Sequence, residues 1–105
     1  MVQLHIISKN IDQANEITTM LHEKDLVMNE YILKEVIGRY PNEKGHLSNS
    51  HDVLIVATTK ALLFNPINKL LREKYRSDMP IIYAVPIVYM DEQQTEDLKN
   101  GTAKV

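Results

Sequence analysis

The sequence predicts an α+β fold in which two helices cover one face of a four-stranded antiparallel sheet. Four segments have the continuous or alternating apolar residues that are typical of strands, and two have apolar residues at every third or fourth position, as in helices. The order along the chain is strand, helix, strand, strand, helix, strand, and a short helix follows. The 105 residues suit one compact domain, 1–105.

The first strand and the first helix are predicted from adjacent segments. Residues 2–8 are rich in β-branched side chains, which indicates a strand. Asn10 is typical of a helix N-cap, and Gln13 three positions later completes a capping-box-like pair. The helix is expected to run to about residue 24. Its buried stripe consists of Ile11, Ala14, Ile17 and Leu21.

A long strand, a polar loop and a third strand come next. Residues 26–40 form a strand well beyond the usual length of about 5–6 residues, and Gly38 indicates a bulge. Residues 41–50 are rich in turn-forming residues, so we expect a loop that is the most mobile internal segment. Residues 51–58 form the third strand, with apolar side chains on both faces.

The second helix is predicted to begin at Asn65 and Pro66, an N-cap followed by a proline at the first helical position. Residues 61–64 are interpreted as an extra turn before it. Residues 79–88 then form the fourth strand, and residues 91–98 a short acidic helix. The buried stripe of the second helix consists of Ile67, Leu70, Leu71 and Tyr75.

This order of elements favours the ferredoxin-like βαββαβ sandwich, in which right-handed crossovers place both helices on one face of the sheet. A different α+β order of the same elements is the alternative. Strands 53–57 and 81–88 are apolar on both faces, so we expect the uncovered face to meet another chain. That face would carry either Ile81, Tyr83 and Val85, or Ile82, Ala84 and Val88.

Composition excludes several classes of function. A formal net charge of −2 does not indicate a nucleic-acid partner, and no apolar run reaches the roughly 20 residues of a membrane helix. The first residues lack the basic and apolar regions of a signal peptide, so we expect a cytoplasmic protein. There is no cysteine and no motif that pairs a nucleophile with a base, so we expect no enzymatic activity.

Histidine is the one residue type that suggests a binding site. His46 and His51 flank the polar loop, with Glu43 and Asp52 nearby, and such ligands suit copper or zinc. The spacing also fits two solvated histidines, which is the simpler interpretation. His5 lies between apolar neighbours, so we expect a hydrogen-bonded interior or interface residue, and His22 is expected on the surface.

Residues 80–87, Pro-Ile-Ile-Tyr-Ala-Val-Pro-Ile, resemble the Pro-x-Ile-x-Ala-Leu-Pro-Ile strand of the CutA family of trimeric divalent-cation-tolerance proteins. Residues 52–59, Asp-Val-Leu-Ile-Val-Ala-Thr-Thr, are more loosely similar to another strand of that family. The resemblance implies a non-enzymatic homotrimer involved in divalent metal tolerance, with copper as the metal. If a metal is bound, we expect His46 and His51 to be ligands, because they are the histidines that flank the polar loop.

The chain departs from the CutA pattern at four places, one of which is the missing aromatic residues near the C-terminus. The family's cysteine after the first helix is absent from residues 26–29, its tryptophan after the long strand has Tyr40 as the nearest counterpart, and its His-Pro-Tyr is replaced at residues 75–77. The fold and the trimer therefore carry over better than copper binding does. PII-like proteins share the fold, which implies an alternative: a sensor of a small ligand or nucleotide in the inter-subunit cleft, signalling through loop 41–50.

Overall fold

The fold is a four-stranded sheet. Its strands lie side by side in the order Met28–Pro41 (β2), Leu47–Thr59 (β3), Val2–Ser8 (β1) and Ile81–Pro86 (β4), and every neighbouring pair is antiparallel. A computed structural model describes all residues, 1–105. This topology confirms the predicted ferredoxin-like α+β fold. The elements are β1 (Val2–Ser8), α1 (Ile11–Glu23), β2 (Met28–Pro41), β3 (Leu47–Thr59), α2 (Phe64–Tyr75), β4 (Ile81–Pro86) and α3 (Glu92–Gly101), with 3-10 turns at Ala61–Leu63 and Arg76–Asp78.

One face of the sheet is buried under the helices. Alternation along β1 and β3 directs every second side chain to this face, because successive residues of a strand point to opposite sides. The buried apolar residues of α1 and α2 complete a single core cluster. Its members are Leu4, Ile6, Ala14, Ile17, Leu21, Leu26, Val27, Val53, Ile55, Ala57, Leu63, Ile67 and Leu71.

The start of α1 is fixed by two polar side chains. Asn10 Oδ1 accepts a hydrogen bond from the Gln13 backbone N–H at 2.8 Å, which confirms the predicted N-cap. Gln13 Oε1 accepts from the Lys9 N–H, and its Nε2 donates to the Asp78 carbonyl. Gln13 is buried, and its two hydrogen bonds connect the start of α1 to the segment that leads into β4.

The predicted start of α2 is wrong. The 3-10 turn Ala61–Leu63 runs directly into the helix, which begins at Phe64, so Asn65 is not the N-cap. Leu63, which is buried in the core, anchors the turn there. Pro66 is tolerated as the third helical residue because the first-turn N–H groups have no partner within the helix.

The loop predicted at residues 41–50 is also wrong in extent. Strands β2 and β3 form one long hairpin whose pairing extends to Pro41 and Leu47, so the connection shrinks to residues 42–46. The polar residues 48–50 join the ladder together with Leu47, because backbone groups pair whatever the side chain. Within the tip, Asn42 Oδ1 accepts from the N–H groups of Lys44 and His46, and the expected mobility of this segment stays a prediction.

The bulges of β2 lie away from Gly38. Gly38 is regularly paired with Ser50, whereas the register shifts between Met28 and Tyr31 and between Leu33 and Val36. Within these shifts Asn29 and Glu35 have left-handed backbone conformations, with φ of 55° and 58°. A Cβ atom at position 38 would lie 2.6 Å from Ser50 Oγ. Gly38 therefore allows the close approach of the Ser50 and Asp52 side chains.

The two C-terminal elements differ from their predicted bounds. β4 covers Ile81–Pro86 rather than residues 79–88, and α3 covers Glu92–Gly101 rather than residues 91–98. Asp91 precedes α3 as its N-cap and accepts a hydrogen bond from the Gln94 N–H at 3.0 Å. No helix is long and apolar enough to cross a membrane.

A carboxyl group on β2 is placed where sequence reasoning did not expect one. Glu30 lies beside His22, Thr18 and Thr19 of α1, and its Oε2 is a buried oxygen without a hydrogen-bond partner. Burial raises the pKa of the Glu30 carboxyl above its ordinary value, and the charge of His22 acts in the opposite direction. The bulge at Asn29 directly precedes Glu30, and a bulge changes the face on which later residues lie.

We expect Glu30→Gln to stabilise the protein at neutral pH. Because the pKa of Glu30 is raised, the folded state binds this proton more tightly than the unfolded state does. The free energy of unfolding therefore decreases as the pH rises from the ordinary pKa of glutamate through the raised pKa of the folded state. The gain at pH 7.5 should be within about 1 kcal/mol, because the group is partly solvated, and it should vanish near pH 4. Denaturant unfolding at both pH values measures it. Glu23→Gln is the matched control, and an equal gain at both pH values would contradict the assignment.

Candidate functional site

The sheet face opposite the helices is open and largely apolar. Ile81, Tyr83 and Val85 of β4 are 60%, 44% and 40% exposed, whereas Ile82 and Ala84 are half-buried on the helix side. Within β4 the first of the two predicted apolar sets is therefore the uncovered one, whereas Val88 of the second set lies beyond β4 and is also exposed. We call this surface the open face. It also carries Gln3, His5 and Ile7 of β1, Leu54 and Val56 of β3, and Tyr31 and Leu33 of β2.

A polar group lies in the middle of the open face. His5 Nε2 is 2.7 Å from Gln3 Oε1, and His5 Nδ1 is 3.3 Å from the Tyr83 hydroxyl. The imidazole and the phenol ring also pack together, with centroids 5.1 Å apart. Both ring nitrogens of His5 thus have partners, as predicted for a hydrogen-bonded histidine. We call His5, Gln3 and Tyr83 the histidine cluster.

A cleft of about 390 Å³ lies at the end of the open face, where the β2–β3 hairpin extends beyond β1 and β4. The close approach at Gly38 described above forms one side of it. The cleft is lined by Ile7, Ser8, Lys9, Gly38, Arg39, Tyr40, Ser50, Asp52, Met79, Pro80 and Ile81.

The cleft combines cationic and hydroxyl groups with one carboxylate. Ser50 Oγ donates to Asp52 Oδ2 at 2.6 Å, Lys9 pairs with Asp78, and Arg39 Nε is 3.2 Å from Asn49 Oδ1. The Ser50 bond occupies part of the hydrogen-bonding capacity of Asp52. Most donors of the Arg39 guanidinium stay free, because a single contact uses one of its five N–H groups. The chemistry of the cleft therefore suits a small anion that approaches from the hairpin side.

The structure does not bring the predicted metal ligands together. His46 lies in the hairpin tip with Glu43, and His51 lies on β3 opposite Ile37. Five residues along a strand span about 16 Å, which is too far for one ion to bind both imidazoles of one chain. Asp52 points to the opposite side of the strand from His51. No group of three or more His, Asp or Glu side chains within the chain is arranged to hold a metal ion.

The structure also locates His22 and shows a cleft that the sequence did not predict. His22 is exposed on α1, as expected. The cleft was not predicted, because it requires strands from both halves of the chain to meet. Gly38 was the only sequence signal for it. A glycine beside serine and aspartate on a paired strand indicates a close approach, but the sequence alone does not show the pairing.

No family model and no curated protein matches this sequence. Solved structures do match in fold, at 17–19% sequence identity. The divalent cation tolerance protein CutA1 of Thermus thermophilus is 19% identical, with a TM-score of 0.86 over 97% of this chain and 98% of that one. CutA1 of Oryza sativa is 17% identical, with a TM-score of 0.88 over 99% and 94%.

A third matching structure is named as a periplasmic protein, whereas we expected this chain to be cytoplasmic. The periplasmic divalent cation tolerance protein CutA of Archaeoglobus fulgidus is 17% identical, with a TM-score of 0.84 over 95% of this chain and 96% of that one. The cytoplasmic location expected for this chain therefore stays a prediction. At these identities the likeness extends to the fold. The chain has the fold of the CutA divalent cation tolerance proteins, as its sequence resemblance predicted.

Proposed function

We propose that this chain is a non-enzymatic, CutA-like homotrimer that takes part in divalent metal tolerance. The observation that carries the proposal is the open face, together with a fold shared with proteins named for divalent cation tolerance. The fold alone does not select a function, because one fold hosts many. The open face adds a physical requirement for self-association that a free-standing monomer would leave unmet.

Self-association through the open face is supported by its burial pattern. Ile81, Tyr83 and Val85 are directed away from the core helices, and no described element covers them. At roughly 25 cal/mol per Å2 of apolar area, covering several such side chains contributes several kcal/mol. A symmetric assembly covers the same patch on every copy. The number three comes from the CutA resemblance and not from the geometry of the face.

We expect light scattering at micromolar concentration to give a mass near three chains. Val85→Glu should convert most of the protein to monomer, because each buried interface would then contain an unpaired carboxylate. Leu62→Glu is the matched control, since Leu62 is 72% exposed on the turn before α2 and lies outside the open face. A monomeric wild type would refute the interface, whereas a dimer would refute only the family-derived number.

We propose copper as the metal, with His46 and His51 as ligands supplied by different subunits. Both histidines are exposed on the hairpin, and imidazole is a good ligand for copper. Their separation along one chain means that a shared ion needs a neighbouring subunit. Glu43 beside His46 is the further oxygen ligand this arrangement offers.

A second candidate function is favoured by the cleft at the end of the open face. Arg39 lines it with guanidinium N–H groups that are mostly free, and a PII-like sensor of a small anion or nucleotide needs such a group beside the hairpin. In that case ligand binding would be transmitted through the connection between β2 and β3.

A thermal-shift panel of copper, zinc, nucleotides and bicarbonate separates the two functions, because a ligand that binds only the folded state raises the apparent melting temperature. Copper should shift the wild type, and the double variant His46→Ala, His51→Ala should lose that shift. His22→Ala, which removes an exposed histidine from α1, should retain it.

The variant Arg39→Gln tests whether nucleotides or bicarbonate bind in the cleft. A shift by a nucleotide or bicarbonate that Arg39→Gln abolishes would support the sensor instead. An unchanged copper shift in the double variant would remove both hairpin histidines from the metal proposal. No shift with copper or zinc would contradict metal binding itself.

A further inference from the structure

His5 of the histidine cluster is the one side chain in the centre of the open face that can gain a positive charge near neutral pH. We propose that His5 makes self-association pH-dependent: the copies hold together while the imidazole is neutral and separate when it takes up a proton. This inference rests on the proposed assembly through the open face. It adds a regulatory role for a residue that neither metal tolerance nor ligand sensing uses.

The register of the sheet places His5 where an assembly would cover it. His5 lies opposite Val56 on β3 and opposite Tyr83 on β4, and all three side chains are on the open face. A second copy that covers Tyr83 and Val85 therefore also covers the imidazole between the two strands. His5 is already half-buried in the isolated chain, so little further contact removes it from water.

The hydrogen bonds of the histidine cluster fit a neutral imidazole. Nε2–H donates to Gln3 Oε1, and Nδ1 lies 3.3 Å from the Tyr83 hydroxyl, which can donate to a neutral imidazole or accept from a protonated one. A second proton on Nδ1 would place two donors face to face until the Tyr83 hydroxyl turned. The net charge would still lie within an apolar surface, where a charge without a counterion is strongly disfavoured.

No carboxylate on the neighbouring elements offsets that charge. On β3 the open side carries Asp52, and β1 leads to Lys9, but both lie at the cleft end, about four residues or 13 Å along the strands from His5. β4 presents Tyr83 as its only titratable group. Lys34 and Glu35 of β2 lie beyond β3, at the far side of the sheet. Glu30 and the charged residues of α1 and α2 belong to the helix side.

The direction of the pH effect follows from linkage. The assembled state binds fewer protons than the free chains, so association is strongest above the range where histidine titrates, near pH 6.5, and weakens below it. Each histidine that must lose its proton lowers the association constant by up to about tenfold per pH unit. Three such residues in a trimer lower it by up to about a thousandfold per pH unit.

The test is a dilution series followed by sedimentation equilibrium at about pH 8 and about pH 5.5. The wild type should be associated at the higher pH, and its association constant should be at least tenfold lower at the lower pH. His5→Gln should remove that difference, because glutamine retains hydrogen-bonding capacity but does not titrate. His22→Gln, which replaces an exposed histidine on α1, is the matched control and should keep the difference.

Each outcome decides between the inference and the assembly on which it rests. A wild type that is monomeric at both pH values refutes the assembly. Association that is equally strong at both pH values, or a pH effect that persists in His5→Gln, overturns the role of His5 alone. If His5→Gln does not associate at all, NMR titration decides. The midpoint of proton uptake by His5 should be lower in the associated wild type than in monomeric Val85→Glu, and equal midpoints overturn the inference.

Discussion

The helices pack against the sheet from one side only, and this asymmetry determines the other properties of the molecule. The apolar stripes of α1 and α2 meet Leu4, Ile6 and Ile55 in one core, and the remaining helix, α3, contributes Leu98 elsewhere. The strands nevertheless carry apolar side chains on their second face. None of these elements covers that face. Packing within one copy is thus complete on one side of the sheet and incomplete on the other.

The β2–β3 hairpin gives the molecule its second distinctive surface. Its strands pair well beyond the ends of β1 and β4, and the chain is accordingly elongated, with extents of 48 × 29 × 21 Å. The hairpin forms one side of the cleft, because Gly38, Ser50 and Asp52 line it opposite residues at the ends of β1 and β4. The apolar surface and the polar cleft are therefore neighbours, so a second copy placed on the former would adjoin the latter.

The sequence was informative where one side chain determines the local structure. Asn10 capped α1 as predicted, and the alternation in residues 81–85 showed that one apolar set would be left uncovered. It was misleading where backbone pairing outweighed composition: residues 47–50 read as loop but pair with β2. The cleft and the position of Glu30 depend on register shifts at Asn29 and Glu35, and a periodic pattern does not reveal such shifts in advance.

The two edges of the sheet are unsuited to open-ended growth. On one edge, β2 is interrupted by left-handed residues at Asn29 and Glu35, and a bulged edge twists its free N–H and C=O groups out of line. On the other edge, β4 is short and is bounded by Pro80 and Pro86, which lack the N–H that an added strand needs. Strand addition at either edge is therefore of limited length. Both edges therefore disfavour the repeated strand addition by which fibrils grow.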